Sequence, residues 1–279
     1  MKLVKSVSAL QAALDPLRHK GLKTGFVPTM GALHAGHLSL VQKAGEENDL
    51  VVVSIFVNPT QFNDKGDLQR YPRTLEADTE KLSALKCDYI FAPGVEEIYP
   101  EPDTRKFNFG NLEKVMEGEF RLGHFNGVAQ VVSRLFDIVK PDRAYFGMKD
   151  FQQLAIIKEM VKQLGSPVEI RPVAIKREED GLAMSSRNTL LEPKYRKEAP
   201  RIYQALLKIK ELKNNLSVEK VKDTVKAEIE QNHLLEVEYL EIVNQESLQP
   251  VKSWEEPIAK IACIAVFAGK IRLIDNIGL

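Results

Sequence analysis

Cysteine is scarce: the 279 residues contain two, Cys87 and Cys263. Cys87 leads into "DYIFAP" and Cys263 sits inside "IAKIACIAVF". Both read as small core residues, and two thiols so far apart argue against a disulfide framework or a zinc site. Net charge is lacking too. Lys plus Arg and Asp plus Glu balance at 39 each, so nothing in the composition supports a nucleic-acid or anionic-membrane partner. No apolar run approaches the length of a membrane span. The N-terminal "MKLVKSVSALQAALDPLRHK" has basic residues, but Ser, Gln and Asp interrupt its apolar stretch. It reads as an amphipathic helix, not a signal peptide. What is present is ordinary for a globular protein, 44% hydrophobic and 28% charged, which argues against disorder. The default is a cytoplasmic enzyme or binding protein, with neither nucleic acid nor membrane as partner.

Up to about residue 175, short apolar runs alternate with helical patterns. "TGFVPTM", "LVVVSIFVN", "DYIFAP", "RAYFG" and "VEIRPVAI" read as strands. The second is nearly continuous and β-branched, the pattern of a parallel strand covered on both faces. Between them lie helical stripes: Leu38, Val41 and Ala44; Leu75, Leu82 and Leu85; Val128, Val131, Val132, Leu135, Phe136 and Val139; and the run "FQQLAIIKEMVKQLG". Such alternation implies a Rossmann-like parallel sheet wrapped by helices. After Ile175 the rhythm changes. "KREEDGLAMSSRN" is polar and turn-like, two helical patterns follow, and "VEYLEIV", "PIAKIACIAVFAG" and "IRLIDN" close the chain as strands. The expected fold is α/β, with a sheet domain over 1–175 and a smaller α+β domain over 176–279.

One short stretch stands out. "PTMGALHAGH", residues 28–37, holds two of the five histidines, two glycines and no charge. The strand should end at Thr29 and a helix begin near His34 or Ala35. Open α/β sheets bind ligands at the carboxyl ends of their strands, and helix N-termini favour anions. His34 and His37 would lie on one face of the first helical turn. Two imidazoles there suit phosphate oxygens, and no third ligand lies nearby for a bare metal. A tight turn with two incidental histidines is the plainer alternative.

"HAGH" is similar to the H-x-G-H signature of the nucleotidyltransferase superfamily that includes class I aminoacyl-tRNA synthetases. In order along the chain, "PTMGALHAGH", "SIFVNPTQF", "RYPRTLEAD", "GHFNGVAQVV", "YFGMKDFQQL", "DGLAMSSRN" and "RLIDN" together resemble the pantoate–β-alanine ligase family over nearly the whole chain. That resemblance implies an ATP-dependent condensation of pantoate with β-alanine through pantoyl adenylate, with Mg2+ accompanying ATP and no protein metal ligand named. It also implies a homodimer. A related adenylyltransferase that keeps AMP in its product, a tRNA-synthetase-like protein and a non-catalytic nucleotide binder are the rival readings.

By the resemblance, His34, His37 and Lys149 are catalytic, His37 being the family's proton donor. The stretch Met30, Gly31, Ala32, Leu33, His34, Ala35, Gly36 and His37 should line the ATP site. Gly147, Met148, Lys149 and Asp150 should do the same, Lys149 on phosphate, with Asp150 a weak candidate for magnesium. Met184, Ser185, Ser186 and Arg187 should grip the triphosphate as a closing loop, and the main chain near Lys176 should touch the nucleotide. Gln61 and Gln153 should bind pantoate, and Gln61 also β-alanine. Asn58 is a weaker candidate, and Tyr71, Asp78 and His124 stay outside the core set.

Overall fold

The computed structural model describes residues 1–61 and 65–279. Phe62, which closes the block "SIFVNPTQF", lies outside them, as do the side chains of Lys65 and Asp67. The chain opens with β1 (Lys2–Val4), α1 (Val7–His19), β2 (Thr24–Thr29), α2 (Ala35–Glu47) and β3 (Leu50–Ile55). It continues with α3 (Lys65–Arg70), α4 (Leu75–Ser83), β4 (Tyr89–Phe91), α5 (Val95–Ile98), α6 (Glu117–Phe120) and α7 (His124–Val139). Then come β5 (Arg143–Gly147), α8 (Phe151–Gln163), β6 (Glu169–Val173), α9 (Pro193–Glu198), α10 (Arg201–Leu212) and α11 (Val218–Glu230). Three long strands finish it: β7 (Leu235–Asn244), β8 (Lys260–Ala268) and β9 (Ile271–Gly278).

Two compact units share the chain. The first holds Met1–Phe109, Arg121–Met148 and Gln153–Ala174; the second holds Gly110–Phe120, Lys149–Gln152 and Ile175–Leu279. The units interleave along the chain: two short stretches inside 1–175, Gly110–Phe120 and Lys149–Gln152, belong to the second, and no composition shift marks them.

In the first unit a six-stranded sheet has the order β1-β4-β3-β2-β5-β6, and every pairing is parallel. The β-branched runs explain its centre. Val51, Val52 and Val53 of β3 and Phe26 and Val27 of β2 are fully buried, because helices cover both faces. Val27, Val51, Val53 and Ile90 pack with Val41 and Ala44 of α2 and Leu82 of α4. Phe26 turns the other way and meets Phe136 of α7 edge-on. The N-terminal segment read as one amphipathic helix is a correction. Lys2–Val4 pairs with Tyr89–Phe91 as an edge strand, and three residues are too few to show a period of two against the helix that follows. A second difference is that α7 begins at His124, ahead of the apolar stripe, on Gly123 with φ 77°.

The order of strands fixes where a ligand can bind. From β2 the chain builds β3 and β4 to one side and later β5 and β6 to the other. The connection therefore reverses between β2 and β5, and a crevice opens outside the carboxyl ends of two such strands. Here β2 and β5 pair only at Gly25↔Arg143 and Phe26↔Ala144. Beyond that point the strands part, and Pro28 has no N–H to pair.

In the second unit, α10 and α11 lay Ile202, Leu206, Ile209, Val221, Val225 and Ile229 against Leu240, Ile242, Ala262, Ile264 and Val266 of the antiparallel β7-β8-β9 sheet. The helical and strand periods meet in one apolar layer. The stretch Gly110–Phe120 joins this unit through charge. The Glu117 carboxylate takes both Arg272 terminal nitrogens at 2.7 and 2.8 Å and the Tyr239 hydroxyl at 2.8 Å. Buried this deeply, the carboxylate needs all three donors.

Glu47, at the end of α2, makes a two-pronged ion pair with Arg171 of β6, at 2.9 and 3.1 Å. The guanidinium holds the Glu47 carboxyl down to about 2. A carboxyl depressed in the folded state stabilises the fold above its unfolded value of about 4.3. That contribution should drain away as the pH falls from there towards 2. Urea melts at a series of pH values should show Glu47→Gln losing part of the acid-induced destabilisation of the parent chain. Parallel curves for the two proteins would count against the linkage.

Candidate active site

The opening motif lies at the carboxyl end of β2. After Thr29, Gly31 and Ala32 both take left-handed backbone, φ 82° and 50°, a costly conformation for Ala32. A carboxylate on α4 compensates. Asp78 is fully buried and accepts Ala32 N–H at 2.9 Å and Leu33 N–H at 2.8 Å. Thr74 Oγ1 donates to it at 3.1 Å, and Lys81 Nζ donates to Leu33 O at 2.6 Å. A Cβ on Gly31 would lie 3.1 Å from Asp78 Oδ2, so glycine is needed there for both its φ and its smallness.

His34 is the N-cap of α2. Its Nδ1 accepts Gly36 N–H at 3.1 Å, and His37 Nδ1 accepts His34 N–H at 3.3 Å. The imidazoles thus form a reciprocal capping box, in the places usually taken by Ser or Thr and Glu or Gln. Their centroids lie 4.0 Å apart. A backbone N–H can only donate, so both Nδ1 atoms must carry lone pairs. Each neutral ring then bears its proton on Nε2 and presents a donor. Adding a second proton, on Nδ1, would break the cap. The turn reading of "HAGH" thus holds in a specific form: the two histidines are the cap of α2.

A second polar relay fixes Gln61, just past β3. Asn58 is 1% exposed. Its Oδ1 accepts Thr60 N–H at 3.3 Å, Thr60 Oγ1 at 3.1 Å and Tyr99 OH at 3.0 Å. Since Thr60 N–H must donate, the Asn58 amide has one orientation, and its Nδ2 donates to Gln61 Oε1 and Gly127 O, each at 3.3 Å. Gln61 therefore points its own Nε2 away from Asn58, donating to Met30 Sδ at 2.9 Å. His124 Nδ1 lies 3.0 Å from Gln61 O. A Cβ on Gly127 would fall 2.6 Å from Thr60 O, so only glycine lets α7 press against this turn. Within the first unit Gln61 thus meets Met30 and His34 meets His37; Asp78 braces the loop between Met30 and His34, and Asn58, Tyr99, His124 and Gly127 brace the turn that carries Gln61. Gln153, in the first turn of α8, is half-buried.

Lys149, Asp150, Lys176 and Met184–Arg187 belong to the second unit. Lys149 Nζ is 3.6 Å from Asp150 Oδ2, a pair about half exposed on its acidic side. The polar stretch 176–184 is a tight hairpin: Met184 N–H donates to Lys176 O at 3.0 Å and Glu178 N–H to Leu182 O at 2.8 Å. Ser185 then caps a 3-10 turn over Ser186–Leu190, its Oγ accepting Arg187 N–H at 3.2 Å. The segment expected as a loop is thus built from two hydrogen-bonded turns. Gly147 ends β5 in the first unit, and Met148 follows it, its N–H donating to Val173 O at 2.8 Å. Among the described residues, no group of three His, Cys, Asp or Glu is placed to hold a metal, and no helix is long and apolar enough to cross a membrane.

The Pantoate-beta-alanine ligase family model matches residues 2–278. The chain belongs to the pantoate–β-alanine ligase family. Pantothenate synthetases of Phocaeicola vulgatus and Bacteroides thetaiotaomicron are similar to it at 56% and 54% identity, over 99% of this chain and 99% and 98% of theirs. A pantothenate synthetase structure from Thermus thermophilus superposes with a TM-score of 0.93 at 47% identity, covering 99% of each chain. A pantoate–β-alanine ligase from Francisella tularensis, complexed with Beta-gamma ATP and Beta-alanine, gives 0.84 at 35% identity over 100% of this chain and 97% of that one. This family member is a ligase joining pantoate to β-alanine to form pantothenate, and ATP is its co-substrate. The α/β reading with a smaller C-terminal unit agrees with these structures.

Asp78 carried no role at the level of sequence, although an acidic residue in the first turn of a helix after a Thr N-cap was the available signal. Asp78→Asn replaces one acceptor oxygen with a donor facing a backbone N–H. It should cost about 1–3 kcal/mol in a urea titration and lower turnover more than the loss of folded protein explains. A variant with parent stability and parent turnover would show that the carboxylate is not what holds the motif.

Proposed function

We propose that the ligation runs in two steps, with pantoyl adenylate between them. In the first, a pantoate carboxylate oxygen attacks the α-phosphorus of ATP and pyrophosphate leaves. In the second, the amine of β-alanine attacks the acyl carbon, the C–O bond to AMP breaks, and the amine loses its proton. The observation that carries this reading is the pair of Nδ1-capped histidines at the helix start after β2. Their Nε2–H groups and the α2 N-terminus supply donors for charge growing on the phosphate. That arrangement favours His37 as a stabilising donor in its neutral form over a proton source for pyrophosphate, a weakly basic leaving group.

The other roles follow the family pattern. Met30, Gly31, Ala32, Leu33, Ala35 and Gly36 line the adenosine, with Gly147, Met148 and the main chain at Lys176. Lys149 and the stretch Met184, Ser185, Ser186 and Arg187 take the phosphates, Arg187 as a planar fork. Gln61 and Gln153 bind pantoate, Gln61 also meeting β-alanine. The ligands named for the Francisella relative support ATP and β-alanine as ligands of the family. Mg2+ enters with ATP, whose phosphates supply most of its ligands. The donor set fits such a phosphate-borne ion: a half-exposed Asp150 beside Lys149 in place of a three-ligand cage. A homodimer in the cytoplasm completes the reading.

Exchange of labelled pyrophosphate into ATP tests the first step. It should need pantoate and not β-alanine. Exchange without pantoate, or none with it, would sink the adenylate route. His37→Ala should slow that exchange by about 10²–10³ while the cooperative thermal melt survives. A variant without a cooperative melt would mark His37 as structural.

A further inference from the structure

Lys149 and the stretch Met184–Arg187 sit on turns, outside any regular helix or strand interior. Turns do not hold position by themselves; something must anchor them. In the second unit both anchors converge on one ion pair. Arg177 and Asp275 are bidentate, with nitrogen–oxygen distances of 2.6 and 3.0 Å, and the Asp275 side chain is 3% exposed.

From this pair, one arm runs to Lys149. Asp275 Oδ1 accepts the Asn276 N–H at 2.7 Å, and Arg177 donates to Asn276 O at 3.3 Å. Asn276, so fixed, donates from Nδ2 to the Lys149 carbonyl at 2.9 Å. The other arm runs to the serine-arginine stretch. Arg177 donates to Gly181 O at 3.1 Å, across the tip of the hairpin, and its own backbone bridges Ala183. Asn188 Nδ2 donates to Ala183 O at 3.1 Å, tying the 3-10 turn to the hairpin. The guanidinium lies 3.7 Å over the Tyr203 ring, which fixes its plane. Lysine could not replace it: one ammonium cannot make the bidentate bond, two carbonyl contacts and the stack together.

We infer that Arg177, Asp275 and Asn276 are positioning residues that set Lys149 and Met184–Arg187 in register for the phosphates of one ATP, an inference that rests on the phosphate roles given above. The closing block "RLIDN" is then part of the catalytic apparatus, acting through the groups it holds in place.

Steady-state kinetics on four full-length variants test this. Asn276→Ala removes the Nδ2 bond to the Lys149 carbonyl and should raise the KM for ATP about tenfold, the reach of one hydrogen bond. The KM for pantoate and the thermal midpoint should stay near the parent values. Lys149→Ala should raise the KM for ATP at least as much. The double variant should be no worse than Lys149→Ala alone, because a positioner has nothing left to position. If Asn276→Ala melts below the assay temperature, Arg177→Lys carries the same expectation for ATP. Additive effects, or parent-like use of ATP by Asn276→Ala and Arg177→Lys, overturn the positioning role alone. Parent-like use of ATP by Lys149→Ala overturns the phosphate role of Lys149 itself.

Discussion

One buried carboxylate holds the front of the site. Without Asp78 the chain leaving β2 would have no reason to enter left-handed backbone at Ala32, and two interior N–H groups would have no acceptor. With it, the loop turns sharply enough for His34 to cap α2 and for His37 to close the box behind it. The two imidazoles are thus at the end of a chain of constraints that starts on a different helix. In the proposed reaction, stability and function would share atoms here: the two Nδ1 lone pairs satisfy the helix start and leave Nε2 as the nitrogen that carries the proton.

Much of the fold was legible because its periods are clean. Val51, Val52 and Val53 could hardly be anything but a covered strand, and the Val128–Val139 stripe declared α7. The edge strand Lys2–Val4 was not legible, since three residues show no alternation and its partner Tyr89–Phe91 lies far along the chain. Nor was the assignment of Gly110–Phe120 to the second unit, which depends on Glu117 meeting Arg272 and Tyr239, a contact between residues more than a hundred positions apart.

The candidate site divides in the same way. His34, His37 and Lys149 were visible through ordered motifs, and Gln61 through the block around it. The roles of Asp78, Asn58, Tyr99, His124 and Asp275 were not, because each acts on a neighbour's backbone or amide. Such residues have no chemical signature of their own in sequence. Their types, a carboxylate here and an amide there, are common on any surface, and only burial together with a named partner separates them from solvated polar residues.

The fixed amide of Gln61 has a consequence for molecules other than the natural substrates. Its polarity is dictated from the Thr60 backbone through Asn58, so the side chain cannot flip to suit a guest. Where Gln61 meets substrate as proposed, an analogue that keeps shape but swaps a hydrogen-bond acceptor for a donor would face N–H against N–H. Sites built around a committed hydrogen bond reject such near-copies by factors of about 10⁴ or more. On that proposed role, selectivity among isosteres would be set by a main-chain amide two steps removed from the ligand, beyond the reach of changes to ligand-facing side chains alone.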